Sequence, residues 1–507
     1  MSQPESVIDL LSRGSDEAPA IGAPDRPMLG FHALRRLMAD TVALLNGAGL
    51  GRGDVLAIVL PNGPEMAAAF VALAAGAATA PLNPAYREDE FDFYLGDLNA
   101  RALVVAQGQD GPARQVAHRR GLPVIELIGD PGGPAGAFHL ARLPTGSPKT
   151  TGFATAADVA LILHTSGTTS RPKMVRLSQR NVAASACHIA RTLALGPNDR
   201  CLNVMPLFHI HGLIAAVLAS LGAGGAVWCT PGFNALKFFS WLEEATPTWY
   251  TAVPTMHQAI LARAERNREI ILRRPLRFIR SSSASLPPQV MAELEATFGA
   301  PVLESYGMTE AAHQMASNPL PPAPRKPGTV GPAAGPEIAI MGEDGRLLAH
   351  GETGEVVIRG ANVTAGYLEN PAANASAFRD GWFRTGDQGV LDAAGYLSIT
   401  GRLKEIINRG GEKISPREVD EVLLDHPAVE QAVTFALPHD KLGEEVAAAV
   451  VLRQGKQASE RELREFVAKR LADFKVPRKV LLLPEIPKGA TGKLQRIGLA
   501  QKLGLAT

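Results

Sequence analysis

The chain has 507 residues, 46% of them hydrophobic, and 51 Lys and Arg balance 50 Asp and Glu to a formal net charge of +1. That length supports two or more packed domains, and the balanced charge leaves no electrostatic footprint for nucleic acid. Three scattered cysteines, Cys187, Cys201 and Cys229, lack metal-ligand spacing and read as small buried apolar residues, which disfavours both a disulfide framework and a zinc site.

At the N-terminus, Met-Ser-Gln-Pro-Glu-Ser has neither a basic n-region nor an apolar h-region. Residues 30–150 then alternate helix-like segments (Phe31 to Ala48, Pro64 to Ala75) with strand-like ones (Asp54 to Leu60, Ala78 to Leu82, Ala102 to Ala106). Such alternation predicts a layered α/β domain with much parallel sheet. The Gly, Pro and Ala-rich stretch Pro131 to Lys149 reads as a surface connection. Next comes Leu161-Ile-Leu-His-Thr-Ser-Gly-Thr-Thr-Ser-Arg-Pro-Lys-Met-Val-Arg-Leu177, where a buried strand breaks at Thr165 into a loop of small hydroxylated residues. Around Gly167 such a loop lets backbone N–H groups approach an anion. Thr165, Ser166, Thr168 and Thr169 add hydroxyls, and Lys173 supplies a cation. This is the make-up of a phosphate cradle, but it is not the common P-loop, because no G-x-x-x-x-G-K-[ST] occurs.

Downstream, Ser178 to Leu195 reads as a helix, Arg200 to Met205 as a strand, and Leu213 to Trp228 as a buried helix followed by a turn and a strand. That last run is shorter than the roughly 20 residues a membrane span requires. Pro319 to Pro327 must be extended. Glu337 to Ile399 is strand-like, with turns at Gly345, Gly360 and Gly395, and predicts a smaller β-rich lobe. A helix start follows at Ser415-Pro416, where Ser415 is the expected N-cap, with Glu418 completing a capping box. The expected domains are therefore 1–403 and a C-terminal α/β cap, 404–507. In the cap, Val429 to Ala436 and Glu445 to Leu452 read as strands and Ser459 to Leu471 as a helix. The terminal Gly-Leu-Ala-Thr carries no peroxisomal address, so the expectation is a cytoplasmic protein.

The Thr165 to Met174 loop resembles the signature loop of the adenylate-forming enzymes, the superfamily of acyl-CoA synthetases, luciferases and adenylation domains. Ser170 and Met174 stand where that family has glycine, a change that bears on loop conformation. Four further words follow in the family's order. Arg280-Ser-Ser-Ser-Ala-Ser-Leu286, with Ser283, Ala284 and Ser285, resembles the segment along the adenine and acyl pocket. Glu304-Ser-Tyr-Gly-Met-Thr-Glu310 resembles the family's Y-G-x-T-E element. The resemblance gives Glu304, Ser305, Gly307, Met308 and Thr309 to the nucleotide site, Tyr306 to adenine stacking, and Glu310 with Thr165 to Mg²⁺. A carboxylate suits that ion, which prefers a few carboxylate oxygens plus phosphates and water. Trp382-Phe-Arg-Thr-Gly-Asp387 resembles the ribose word, Asp387 holding the diol and Arg402 the ribose or α-phosphate. Pro487-Lys-Gly-Ala-Thr-Gly-Lys493 resembles the C-terminal word, which makes Lys493 the catalytic lysine, grouped with Thr309 and Glu310.

The implied reaction joins a carboxylic acid to ATP as an acyl-AMP and then to coenzyme A as a thioester. A luciferase-like oxygenase and a non-catalytic nucleotide-binding relative are the alternatives. By resemblance the cap turns about Lys404 between the two steps, bringing Gly410, Gly411, Glu412 and Lys413 to the pantetheine arm. The wording of Pro206-Leu-Phe-His-Ile-His-Gly212 and Thr309-Glu-Ala-Ala-His-Gln-Met-Ala-Ser-Asn-Pro319 is closest to that of oxalate–CoA ligases. His209, Ser283 and His313 would edge a pocket that offers hydrogen bonds, which suits a short dianion better than a long chain. Malonate and short-chain, fatty or aryl acids are the alternative substrates.

Overall fold

Residues 3–165, 172–487 and 495–506 are described by the computed structural model. The chain divides into two units, one made of Met1–Leu286, Val290–Ile338 and Ile358–Phe383, the other of Pro287–Gln289, Ala339–Val357 and Arg384–Thr507. The expected boundary at Lys404 falls inside the second unit.

The first unit is α/β, built on two mixed sheets. A seven-stranded sheet runs in the order Phe138–Ala141, Val124–Gly129, Ala102–Ala106, Val55–Val59, Ala78–Pro81, Val159–Thr165, Lys173–Ser178. Its inner pairs are parallel and its two edge pairs antiparallel. The inner strands are mostly apolar because both faces are covered, as parallel sheet requires, with Thr79, Glu126 and His164 among the exceptions. An eight-stranded sheet follows the same plan in the order His313–Ser317, Val302–Met308, Phe278–Ser282, Trp249–Ala252, Arg200–Asn203, Ala226–Cys229, Pro19–Ala23, Arg26–Gly30. Helix Pro64–Ala74 is buried at every position except Glu65 and packs on strands of both sheets. A helix that is apolar all round belongs in a core, and here its alanines let two sheets share it. Helix Gln179–Thr192, capped by Ser178 accepting from the Asn181 N–H, likewise touches both sheets.

The second unit holds a sheet ordered Glu412–Ile414, Ile407–Arg409, Gly443–Leu452, Val429–His439, with Lys479–Leu482 parallel to Gly443–Leu452. Helices Pro416–Leu424 and Glu460–Ala468 cover one face through Val419, Leu423, Leu463 and Val467. The strand Trp382–Leu391 carries the chain from the first unit into the second.

Four sequence expectations change. Pro131 to Lys149 contains the edge strand Phe138–Ala141, which two buried residues of four hold in place. The strand-like stretch from Glu337 contains helix Pro371–Ala377, started by the Asn370 side chain accepting from the Ala373 N–H. The run from Leu213 winds as a π-helix, His211–Leu218, before helix Ala219–Gly222 and strand Ala226–Cys229. The capping box at Ser415 is not formed, because the Ser415 hydroxyl donates to the Thr400 carbonyl and Glu418 pairs instead with Lys475 at 2.7 Å. The three cysteines are free and buried. Among the described residues no helix is long and apolar enough to cross a membrane.

Candidate active site

In an open α/β sheet, ligands bind beyond the carboxyl ends of the parallel strands. Three neighbours in the eight-stranded sheet, Trp249–Ala252, Phe278–Ser282 and Val302–Met308, bring their carboxyl ends together, with Thr251 paired to Arg280, Ser281 to Glu304 and Ser282 to Ser305. Beyond Ser282 the chain turns sharply, and Ser283 takes φ 72. A non-glycine residue there is strained by about 1–3 kcal/mol, so the surroundings must hold it. Glu304 does so in part, since its Oε1 accepts from the Leu286 N–H at 2.9 Å. Ser282 Oγ donates to the Ser305 carbonyl at 2.9 Å and Ser305 Oγ to the Ser281 carbonyl at 3.3 Å. Glu304 and Ser305 are thus buried struts of a turn whose outer residues are the half-buried Ser283 and the exposed Ala284 and Ser285.

Val302–Met308 runs on through the 3₁₀ turn Thr309–Ala311 and returns antiparallel as His313–Ser317. Gly307 is required here, because a Cβ would stand 1.8 Å from the His313 carbonyl oxygen. Tyr306, Gly307, Met308 and Thr309 are partly exposed along this rim, and Glu310 is buried. The Tyr367 hydroxyl donates to Glu310 Oε1 at 2.9 Å, and Lys173 Nζ lies 4.5 Å from the Tyr367 ring centroid. Thr165, half-buried, pairs across the hairpin with Lys173. One tyrosine therefore joins the phosphate-loop lysine to the expected metal carboxylate. Carboxylate and hydroxyl are hard oxygen donors that fit Mg²⁺. Among the described residues no cluster of three or more His, Cys, Asp or Glu could hold a metal. Met174 is buried as part of a separate apolar cluster that includes Ile162 and Leu82.

A polar network lies on the same strand ends. His211, fully buried, meets Ser283 Oγ through Nδ1 at 3.0 Å and Thr251 Oγ1 through Nε2 at 2.6 Å. Arg280, also fully buried, directs Nη1 at His211 Nε2 and Thr251 Oγ1 and Nη2 at Gln314 Oε1, at 3.4, 3.5 and 3.3 Å. Burial pushes its pKa down to about 9. The His313 ring packs edge-on to His211 at 4.9 Å, on backbone with φ 104. Of the expected acyl-site residues, Ser283 and His313 thus meet around His211, whereas His209 is half-buried beside Phe208.

In the second unit, Arg402 Nε donates to Asp387 Oδ1 at 2.9 Å across the pair of strands Trp382–Leu391 and Leu397–Arg402. Asp387 is buried and Arg402 half-exposed. Lys404 is exposed in the turn that follows, closed by the Glu405 N–H donating to the Arg402 carbonyl at 2.8 Å. Gly410 and Gly411, with φ 60 and 100, form the two-residue turn between Ile407–Arg409 and Glu412–Ile414, a geometry that needs left-handed backbone at both positions. Glu412 and Lys413 are exposed. Ser166, Gly167, Thr168, Thr169 and Lys493 lie outside the described residues.

Three residues at these sites escaped the sequence reading. Tyr367 sits in Thr364-Ala-Gly-Tyr367, which bears no chemical signature by itself. His211 and Arg280 stand inside words already noted, but only the fold shows that the second histidine of His209-Ile-His211 turns inward.

Residues 15–368 match the family of AMP-binding enzymes and residues 418–493 match the AMP-binding enzyme C-terminal domain. The chain belongs to the AMP-binding enzyme family. It is 47% identical to the oxalate–CoA ligase of Arabidopsis thaliana, over 90% of each chain, and 43% identical to that of Saccharomyces cerevisiae, over 89% of this chain and 87% of the yeast protein. Among solved structures, ATP-bound MatB from Rhodopseudomonas palustris superposes with a TM-score of 0.88 at 30% identity, covering 98% of this chain and 99% of MatB. The protein is an ATP-dependent acid–CoA ligase, an AMP-forming acyl-CoA synthetase.

Proposed function

We propose that the acid is oxalate, activated as oxalyl-AMP with release of pyrophosphate and then transferred to coenzyme A. A carboxylate is a poor electrophile because its leaving group would be oxide, and adenylation replaces that with AMP. The observation that carries the reading is the polar lining of the acyl end. Ser283 and His211 hydrogen-bond at the strand ends with His313 packed beside them, where a long-chain or aryl ligase needs an apolar slot. Kinship with two oxalate–CoA ligases across most of the chain supports it.

On this reading Lys173 and the loop from Thr165 to Thr169 hold the triphosphate, Tyr306 covers adenine, and Asp387, oriented by Arg402, takes the ribose diol. Glu310, steadied by Tyr367, and Thr165 would hold Mg²⁺, which supplies charge neutralisation between the phosphates. Lys493 bridges the acid and the α-phosphate, where charge crowds during displacement. Lys404 is the pivot between half-reactions, and Gly410, Gly411, Glu412 and Lys413 serve coenzyme A. The cytoplasm, which supplies ATP and coenzyme A, is the compartment this reading implies. A CoA-ligation screen across oxalate, malonate, acetate, octanoate and coumarate tests it: oxalate should give the highest kcat/KM, and preference for octanoate or coumarate would overturn the oxalate assignment.

A further inference from the structure

Arg280 is fully buried in the strand Phe278–Ser282, and among the described residues no carboxylate pairs with it. An unpaired buried cation is costly to a fold and asks for a purpose. Its hydrogen-bond partners define one. Gln314 Nε2 donates to Thr192 Oγ1 at 3.1 Å and to the Ala334 carbonyl at 3.0 Å, which turns Gln314 Oε1 toward the guanidinium as an acceptor. Arginine offers only donors. An Arg280 N–H aimed at His211 Nε2 therefore makes that nitrogen an acceptor, its single lone pair shared between the Thr251 O–H at 2.6 Å and the longer Arg280 contact at 3.4 Å. The imidazole proton is then on Nδ1 and is donated to Ser283 Oγ at 3.0 Å. Ser283, its oxygen already accepting, turns its own hydroxyl proton outward. The opposite tautomer would draw the Ser283 proton inward and present oxygen lone pairs to the ligand.

We infer that Arg280 is a positioning residue that fixes the direction of the relay Arg280, His211, Ser283, so that Ser283 presents a hydrogen-bond donor to an acid bearing a second anionic group. This rests on the proposed oxalate reading and names the residue behind its selectivity. The relay has no use for a neutral or long acyl tail, since its only contribution at the surface of the site is one polarised O–H.

Arg280→Met removes the donor and Arg280→Lys restores one. Full-length wild type and both variants are assayed with oxalate and with oxamate, in which a neutral amide replaces the second carboxylate. Wild type should prefer oxalate. Arg280→Met should raise the oxalate KM about 10- to 100-fold, the range for a hydrogen bond to a charged group. The ATP KM should stay unchanged, the preference over oxamate should collapse, and Tm should not fall because an unpaired buried charge is gone. Arg280→Lys should recover much of the oxalate KM. If Arg280→Met does not fold, Thr251→Val interrupts the same relay and should shift the oxalate KM in the same direction. A folded variant with unchanged oxalate KM and preference overturns the inference, as does an equal loss of kcat on both acids with KM unmoved, the mark of a merely structural role. A wild type that ligates no acid with a second anionic group overturns the oxalate reading and this inference together.

Discussion

The two halves of the nucleotide chemistry are built in opposite ways. In the first unit Glu304 and Ser305 on a parallel strand, Glu310 in the turn after it and His313 on the antiparallel return strand are all buried, and each is fixed by the sheet or by a neighbour such as Tyr367. In the second unit Lys404, Glu412 and Lys413 are exposed on turns and a short hairpin, and Arg402 is half-exposed. Buried polar groups locked by strand register are pre-organised for charge that develops in one place. Side chains on exposed turns can change partners without disturbing a core, which suits the roles proposed for them in two successive half-reactions.

The largest effect tests the C-terminal side. Lys493→Ala should slow oxalate-dependent pyrophosphate release by about 10²-fold or more, while thioester formation from supplied oxalyl-AMP stays nearly intact. Equal loss in both half-reactions would dissolve the division of labour. Tyr367→Phe probes the buried side by removing the 2.9 Å bond to Glu310, and should cost roughly 10-fold in pyrophosphate release, the consequence of leaving a buried carboxylate oxygen short of a donor. Thioester formation from oxalyl-AMP should change little.

Acid stability sharpens the contrast further. His257 is fully buried, its Nδ1 3.1 Å from the Tyr250 hydroxyl, and burial pushes its pKa from 6.5 down to about 3. The folded form keeps the ring neutral, while the unfolded chain takes up a proton below pH 6.5. The stabilising contribution is therefore complete above 6.5 and is lost as pH falls toward 3, by roughly 2 kcal/mol at pH 5. Thermal melts between pH 7 and pH 5 should show this loss, and His257→Gln should flatten the dependence. The smallest effect belongs to the hairpin: Lys413→Ala should leave stability within about 0.5 kcal/mol, as exposed positions do. A rise in KM for coenzyme A of a few-fold, with adenylation unaffected, would mark its role, and a large drop in Tm would place Lys413 in the core instead.

Apolar elements were readable in the sequence, Ala102–Ala106 to the residue and Pro64–Ala74 to within one, because period and flanking glycine or proline decide them, whereas Val429–His439 runs three residues past the expected end at Ala436. Helix Pro371–Ala377 was not readable, since its alanines and serine give no amphipathic period and its start depends on one asparagine cap. Long motifs located Glu310 and Ser283, but not the partners that orient them. Tyr367 comes from 57 residues downstream of Glu310, and His211 lies 72 residues before Ser283. Such pairings are made by the tertiary fold, since His211 sits on a helical stretch and Tyr367 outside any named strand. The absent capping box at Ser415 is the reverse case, in which a local pattern yields to a tertiary acceptor on Thr400.

His211 opens the π-helical stretch His211–Leu218, whose i→i+5 winding gathers more residues into each turn than an α-helix holds. The azimuth at which the imidazole leaves the backbone thus depends on surplus chain stored between two anchored ends. Removing one residue from that stretch would relax the winding toward α and swing His211 around the helix axis, away from Arg280 and Ser283. The sheets would keep their register throughout. On the proposed reading, acid selectivity would therefore be tunable by helical phase, a mechanical variable separate from which side chains line the pocket.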